Sequence, residues 1–344
     1  MGTTDVLGGL DRLPGSPQIH RWADWAEILC LASASGLLSQ SELAEAARRR
    51  NDVRDLEEED DAEDSDQTEK IQGVTEAELS DAHQARSVEV FNYLEERSKT
   101  FSHAYPFQLD EKGNLMLLSQ TDSRSLYLFL LYCSVLRYVP TGEARTSLTA
   151  RFEALCLDVM RAIMPSQAEV HLFGKNSELA NGRYYGRLAR KLEILVGDLG
   201  ETAHFNTHDF GPRDFGDNGL DIVAWIPMGD ALNGRPVVFG QCACTPQWVV
   251  KQHSSSGAAF NEVMTQMVDP TNMCFIPFDF RGADGGWYKR PSIHRSVVVD
   301  RRRMLRLLGV ISDDSVNEDR AGMWREALDF QALNGPRGMA ARDL

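Results

Sequence analysis

Gly219-Leu220-Asp221-Ile222-Val223-Ala224-Trp225 and, further along, Pro236-Val237-Val238-Phe239-Gly240-Gln241-Cys242-Ala243-Cys244 are the stretches on which the reading of this chain turns. Each is an almost continuous apolar run rich in β-branched and aromatic residues, bounded by turn formers. That is the pattern of a strand buried on both faces. The spacing predicts strands over residues 220–226 and 236–244, joined by a turn region at 229–234. Each strand carries one strongly polar side chain, Asp221 at the start of the first and Gln241 near the end of the second. A buried polar group without a partner costs roughly 1–3 kcal/mol, so both residues need a partner or a task.

Around this pair the pattern alternates between helix and strand. Residues 144–163 read as a helix ended by Pro165, 169–173 as a strand, and 183–199 as a helix closed by Gly200. Thr245-Pro246 has the form of an N-cap followed by proline in the first turn, so a helix is expected to begin there. Residues 273–280 read as another strand, and 296–300 as a short strand feeding a basic helix that ends near Leu308. The expected fold class is therefore α/β, a mixed central sheet flanked by helices.

The region in front is expected to be mainly helical. Residues 22–38 have helical apolar spacing through Trp22, Trp25, Ile28, Leu29 and Leu31. Ser39 precedes Gln40 and Glu42 as the cap of a second helix through Arg50. Residues 76–98 continue as helix, Tyr105-Pro106-Phe107 as extended chain, and the dense run 126–138 as a buried helix. Pro140-Thr141-Gly142 marks the boundary, giving a front domain at 1–143 and a second at 144–344.

Charge and cysteine usage narrow the function classes. The formal net charge is −15, but ten acids and one arginine fall between Asn51 and Asp66, so that run alone carries −9. The segment at about 51–70 is expected to be a flexible acidic linker. The balance of the chain is mildly acidic and carries basic clusters at 187–191 and 289–306, which leaves room for a local positive groove. Arg301, Arg302, Arg303 and Arg306 are candidates to touch a phosphate backbone. The six cysteines are scattered and form no disulfide framework, so a reducing cytoplasm is expected. No apolar run approaches membrane-spanning length, no signal peptide is expected at the start, and no phosphate-binding GxxxxGK[ST] loop is present. His204 and His208 stand four apart with Asp209 next to them, a weak zinc-like spacing in an irregular segment.

Adjacent strands would bring Asp221 and Gln241 to one edge of the sheet. Such a site suits a hard divalent cation, Mg²⁺ or Mn²⁺, bound by the Asp221 carboxylate, the Gln241 amide or the Cys242 carbonyl, and waters. A cation there would polarise a phosphodiester and acidify an attacking water.

On these residues the chain resembles the PD-(D/E)xK nuclease superfamily, the restriction-endonuclease-like proteins, over roughly residues 147–280. The resemblance implies a core of helix, three-strand meander, helix and strand. It also implies an acid on the first helix, an Asp on the second strand and a (Glu/Gln)-x-Lys on the third. Asp221 matches the strand aspartate and Gln241 the Glu/Gln. The lysine position is Ala243, and the nearest lysine is Lys251, in the following helix on the same face as Trp248. Some members of the superfamily have a migrated lysine, which implies that role for Lys251. The helix acid is expected at Glu153, because a strand follows its helix. Glu193 would need a strand at 203–207 instead. The resemblance thus implies a metal-dependent endonuclease with Glu153, Asp221, Gln241 and Lys251 as catalytic residues, with Glu153, Asp221, Gln241 and Cys242 around the metal, and with DNA as the expected substrate. An effector in restriction-type or anti-phage defence follows by extension, with the front domain sensing a trigger, binding a partner protein or self-associating. The rival expectation, supported by Ala243, is an inactive nuclease fold that only binds nucleic acid or serves as an adaptor.

Overall fold

A computed structural model describes residues 7–10, 12–14, 16–48, 76–177, 182–211, 214 and 216–311. The acidic run and residues 312–344 lie outside the described residues. The fold is mixed α/β, with eight α-helices, a small antiparallel sheet and a mixed five-stranded sheet among the described residues. No described helix is long and apolar enough to cross a membrane. The chain forms two compact units. Among the described residues, the first runs to Arg145 and takes in Phe278–Lys289 and Gly309–Ile311, and the second holds those of Thr146–Pro277 and Arg290–Leu308. The expected division at 143/144 meets this only at its first boundary. The later chain leaves the second unit twice, because Phe278–Lys289 finds its partners among the front helices.

In the first unit, α1 (Ile19–Ala32), α2 (Gln40–Arg48), α3 (Glu76–Phe101) and α4 (Asp122–Ser134) surround Trp25, Ile28, Phe91, Leu94, Phe101 and Phe129, all 2% exposed or less. The cap read at Ser39 forms a reciprocal box. The Glu42 N–H donates to Ser39 Oγ at 3.1 Å and the Ser39 N–H to Glu42 Oε2 at 2.7 Å. The helix expected over 22–38 changes here. Helix α1 stops at Ala32, and Leu37–Leu38 forms β1 instead of the helix end. With β2 (Phe107–Leu109) and β3 (Leu115–Leu117) it makes an antiparallel sheet in the order β1-β3-β2. Gly113, at φ 77°, closes the β2–β3 turn, where only glycine is unstrained.

A buried charge network ties this unit together. Arg97 on α3 donates to Asp24 Oδ1 at 2.7 Å and Glu27 Oε1 at 2.8 Å on α1, and its Nε lies 3.5 Å from Asp279 Oδ2. Tyr105 and Tyr127 donate to Glu27, Tyr93 to Asp279 and Ser134 to Asp24. The aromatic side chains of Phe280 and Tyr288 stack edge-on against the buried His20 ring.

The second unit is built on the sheet β4-β5-β6-β7-β8: β4 (Glu169–Leu172), β5 (Ile222–Trp225), β6 (Val237–Cys242), β7 (Thr271–Phe275) and β8 (Val297–Val299). The first three strands form an antiparallel meander, and β6, β7 and β8 run parallel. Helix α5 (Gly142–Ile163) precedes the meander, α6 (Leu188–Leu199) lies between β4 and β5, the short α7 (Trp248–Lys251) follows β6, and α8 (Arg301–Leu307) ends the unit. Val223, Trp225 and Phe239 pack in one cluster with Leu188, Leu192 and Leu195 of α6. Side chains alternate along a strand, so Ile222 and Gly240 face the other way. There a Cβ on Gly240 would lie 3.3 Å from Met160 on α5 and 3.1 Å from Phe275. The two helices therefore cover opposite faces of the sheet, and Gly240 is the point of close approach.

Several element ends differ from the sequence expectation. Helix α6 begins at Leu188 instead of 183. Strand β7 covers Thr271–Phe275 instead of 273–280, since Phe278–Phe280 turn into the first unit. Helix α7 begins at Trp248, not at Thr245-Pro246, and the Thr245 hydroxyl bonds Gln247 Oε1 instead of capping. The arginines of α8 are not one exposed row. Arg301 is fully buried and donates to the Pro277 carbonyl at 2.8 Å, and Arg303 donates to the Val298 carbonyl at 2.6 Å.

Candidate active site

Asp221 immediately precedes β5 and Gln241 lies within β6. Because Ile222 pairs with Gly240, the next antiparallel pair is Asp221 with Gln241. The side chains meet: Gln241 Nε2 donates to Asp221 Oδ2 at 2.6 Å, and the Cys242 N–H donates to the same oxygen at 2.7 Å. Asp221 is 5% and Gln241 8% exposed, so this pair sits at the buried end of the sheet.

Glu153 joins them from α5. A Cβ placed on Gly174 would lie 3.1 Å from Asp221 Oδ1 and 3.7 Å from Glu153 Oε2, so the two carboxylates converge on the space that this glycine leaves open. Gly174 is held there because its N–H, like that of Phe173, donates to the Asp221 carbonyl. Asn176 donates to Glu153 Oε2 at 2.6 Å and fixes the carboxylate. Glu193 is placed elsewhere, half-exposed on α6 and paired with Arg190.

The electrostatics of the pair are those of two acids crowded out of water. Burial, and then the charge of Glu153, push the Asp221 carboxyl well above the usual carboxylate range, against the opposing Cys242 N–H and Lys251. Burial raises Glu153 too, opposed by the Asn176 bond and reinforced by Asp217. Two buried anions side by side favour a proton or a cation between them.

Lys251 ends α7 and is exposed, and its charge acts on Asp221. The seating of α7 explains this. Gly219, at φ 77°, packs so tightly on the chain just after the helix that a Cβ there would lie 2.5 Å from Ser254 Cβ. The exit of α7 is thereby pressed against the start of β5. Ala243, in the position of the missing lysine, is 1% exposed and donates its N–H to Phe275, so no long side chain fits. Burial, with a bond to Cys156, holds the Cys242 thiol well above its usual range, which leaves its backbone groups as the ones available to chemistry.

Comparison with protein-family models, curated proteins and solved structures found no match to this chain.

The donor set fits a hard cation. Gln241 Nε2 faces Asp221 and the Cys242 carbonyl, and Gln241 Oε1 is buried with no hydrogen-bond partner among the described residues, an acceptor left over on a side chain that touches Asp221. Among the described residues no three His, Cys, Asp or Glu side chains gather into a metal group. The oxygens that the structure brings together are those of the Asp221 and Glu153 carboxylates, a pair that would suit a hard cation completed by waters, while the Cys242 carbonyl accepts from Gln241 Nε2 at 3.3 Å. The histidine spacing leads nowhere comparable. His204 bonds Thr265 Oγ1 at 2.7 Å and the Asn261 carbonyl, while Asp209 caps its own short turn with Asn206.

Asn176, Gly174 and Asp217 are the site residues that sequence reasoning missed. Asp217 acts on both carboxylates and turns the chain into β5, its Oδ1 accepting the Gly219 N–H at 2.9 Å. The run Asp217-Asn218-Gly219 was a turn signal for it. Gly174 and Asn176 gave none, since their role depends on where α5 lies.

Proposed function

We propose that this chain is a metal-dependent phosphodiesterase, a nuclease of the PD-(D/E)xK type with DNA as its expected substrate. The reading rests on one observation above others: the Glu153 and Asp221 carboxylates converge beside Gly174 at the end of the sheet, with the Gln241 amide bonded to Asp221. Further support is the order of elements, which runs α5, the meander β4-β5-β6 with α6 inserted between β4 and β5, α7 and the parallel strand β7. A Mg²⁺ or Mn²⁺ ion held by Asp221, Glu153, the Gln241 amide oxygen and the Cys242 carbonyl would polarise a phosphodiester and acidify a bound water.

The chain's own residues supply the remaining functions. Asn176 fixes the Glu153 carboxylate, and the Cys242 N–H fixes Asp221, so neither must reorganise on binding. Lys251 stands at the exposed side, where a cation meets the charge that grows on a phosphoryl group. A role as an effector in restriction-type or anti-phage defence belongs to this reading by extension.

Ala243 favours a second reading, a nuclease fold without activity that binds nucleic acid. Plasmid cleavage with Mg²⁺ or Mn²⁺ separates the two, comparing the wild type with Asp221→Ala and Lys251→Ala. Cutting that is abolished in Asp221→Ala and falls at least ~100-fold in Lys251→Ala is the expected result, the size typical of removing one transition-state donor. Cutting that survives Asp221→Ala removes this site. Binding without cutting by the wild type on DNA and RNA alike favours the inactive fold.

A further inference from the structure

We infer that the loop Arg290–Arg295 is the phosphate-backbone-binding lip of the candidate active site, gripping nucleic acid independently of sequence. The inference rests on the nuclease reading for the identity of the neighbouring site. Its foundation is Gln252, a polar residue with no exposure, one position after Lys251. Gln252 Nε2 donates to the Ser292 carbonyl at 2.7 Å, and its Oε1 accepts the His294 N–H at 3.1 Å. Its own carbonyl accepts from Asn272 Nδ2 at 2.6 Å, and Asn272 Oδ1 accepts from Ser255 at 2.8 Å. One buried side chain thus bolts the loop to the exit of α7, beside β7.

The loop so held presents positive charge. Arg290, His294 and Arg295 are exposed, as are Lys251 and His253 on the α7 side. None of Arg290, His294 and Arg295 forms an ion pair among the described residues. Arg295 sits at φ 49°, a left-handed conformation that a side chain rarely adopts and that the anchored loop enforces. The His294 and His253 rings meet edge-on with centroids 5.7 Å apart, closing the gap between loop and helix. In a chain of net charge −15, a fixed, unpaired basic ridge next to a lysine that acts on Asp221 is suited to a polyanion. The arginines of α8 cannot serve in its place as a row, because Arg301 and Arg303 are bonded to main-chain carbonyls. Contacts from these groups to phosphate oxygens position the polymer and carry no sequence information, so the lip is assigned to the backbone.

The test is binding of the full chain to fluorescent single- and double-stranded DNA and RNA in EDTA, across a salt series, with cleavage in Mg²⁺ measured separately. The proteins are the wild type, Arg290→Ser/Arg295→Ser, and Arg161→Ser as a surface-charge control from an exposed pair with Asp158. Thermal melting confirms that each is folded. The lip variant is expected to bind roughly tenfold or more weakly at ~0.1 M salt, with the slope of log affinity against log salt reduced by about two, on any oligonucleotide sequence. An unchanged affinity and slope overturns the lip, as does an equal loss in Arg161→Ser or a wild type that binds none of the four polymers. If the wild type binds through the lip but cuts nothing, the lip stands and the nuclease reading falls. If it cuts while the lip variant binds normally, the nuclease reading stands and the lip falls.

Discussion

Gly174 is the residue whose missing side chain matters most to the candidate site. Its backbone is not in the left-handed region, so alanine is tolerated by the chain itself. The added Cβ would stand 3.1 Å from Asp221 Oδ1 and 3.7 Å from Glu153 Oε2, in the space where the carboxylates converge. Gly174→Ala is therefore expected to keep its melting temperature within a few degrees, since its effect is local, while Mn²⁺ affinity by calorimetry falls at least ~10-fold, a loss of about 1.4 kcal/mol. Wild-type affinity in a folded Gly174→Ala would show that a cation binds elsewhere. At this scale the sequence was legible where chemistry lay in regular elements. Asp221 and Gln241 stood out because a strand pattern makes a polar residue conspicuous, and Glu153 because helical spacing put it on a helix before the strand. The other parts come from loops and long-range approach. Gly174 looks like any glycine after a strand, and Asn176 gains its meaning only from α5. No local pattern records that Lys251 is pressed toward Asp221 by the contact of Gly219 with Ser254.

Elements, unlike loops, were mostly visible, and their failures have one cause. The Ser39 box, α5, the apolar runs of β5 and β6 and the glycine that closes α6 all depend on neighbours within a few residues. Strands of two or three residues such as β1 and β3 carry too little pattern, and their pairing is set by residues far along the chain. The same holds for α1, whose periodicity announces an amphipathic helix but not that Asp24 and Glu27 point inward at 1% and 0% exposure. They are tolerated because Arg97, on α3, reaches both. Arg97→Met tests this. It removes the arginine that reaches all three carboxylates and leaves Asp24, Glu27 and Asp279 buried without it, an arrangement expected to cost about 3–5 kcal/mol. Urea denaturation followed by circular dichroism should show a midpoint lowered accordingly. A loss under ~1 kcal/mol would mean that the tyrosine and serine bonds suffice to hold the carboxylates.

For the molecule as a whole, charge and burial make opposite demands as pH falls. With 51 acids against 36 lysines and arginines, mild acidification lowers the self-repulsion of the chain and should stabilise it. The buried His20 works the other way. Burial lowers its pKa from 6.5 to about 3, against the pull of Asp24 and Asp279 and with help from Arg97 and Arg21. The folded state therefore keeps the ring neutral while the unfolded chain takes up a proton below pH 6.5. The stability tied to this group is complete above pH 6.5 and is lost as pH falls toward about 3, at up to about 1.4 kcal/mol per pH unit. Such a slope exceeds what relief of screened surface repulsion offers at moderate salt, so the burial term should win. The check is the pH dependence of unfolding free energy between pH 4 and 8 for the wild type and His20→Phe. Phenylalanine keeps the ring packing against Phe280 and Tyr288 but cannot titrate. The wild type should lose stability steadily below pH 6.5, and the variant should follow a flatter curve that diverges from it only in that window. Parallel curves would mean that His20 finds a proton-accepting partner in the folded state, most directly Asp24, and the slope would then have to come from the carboxylates around Arg97.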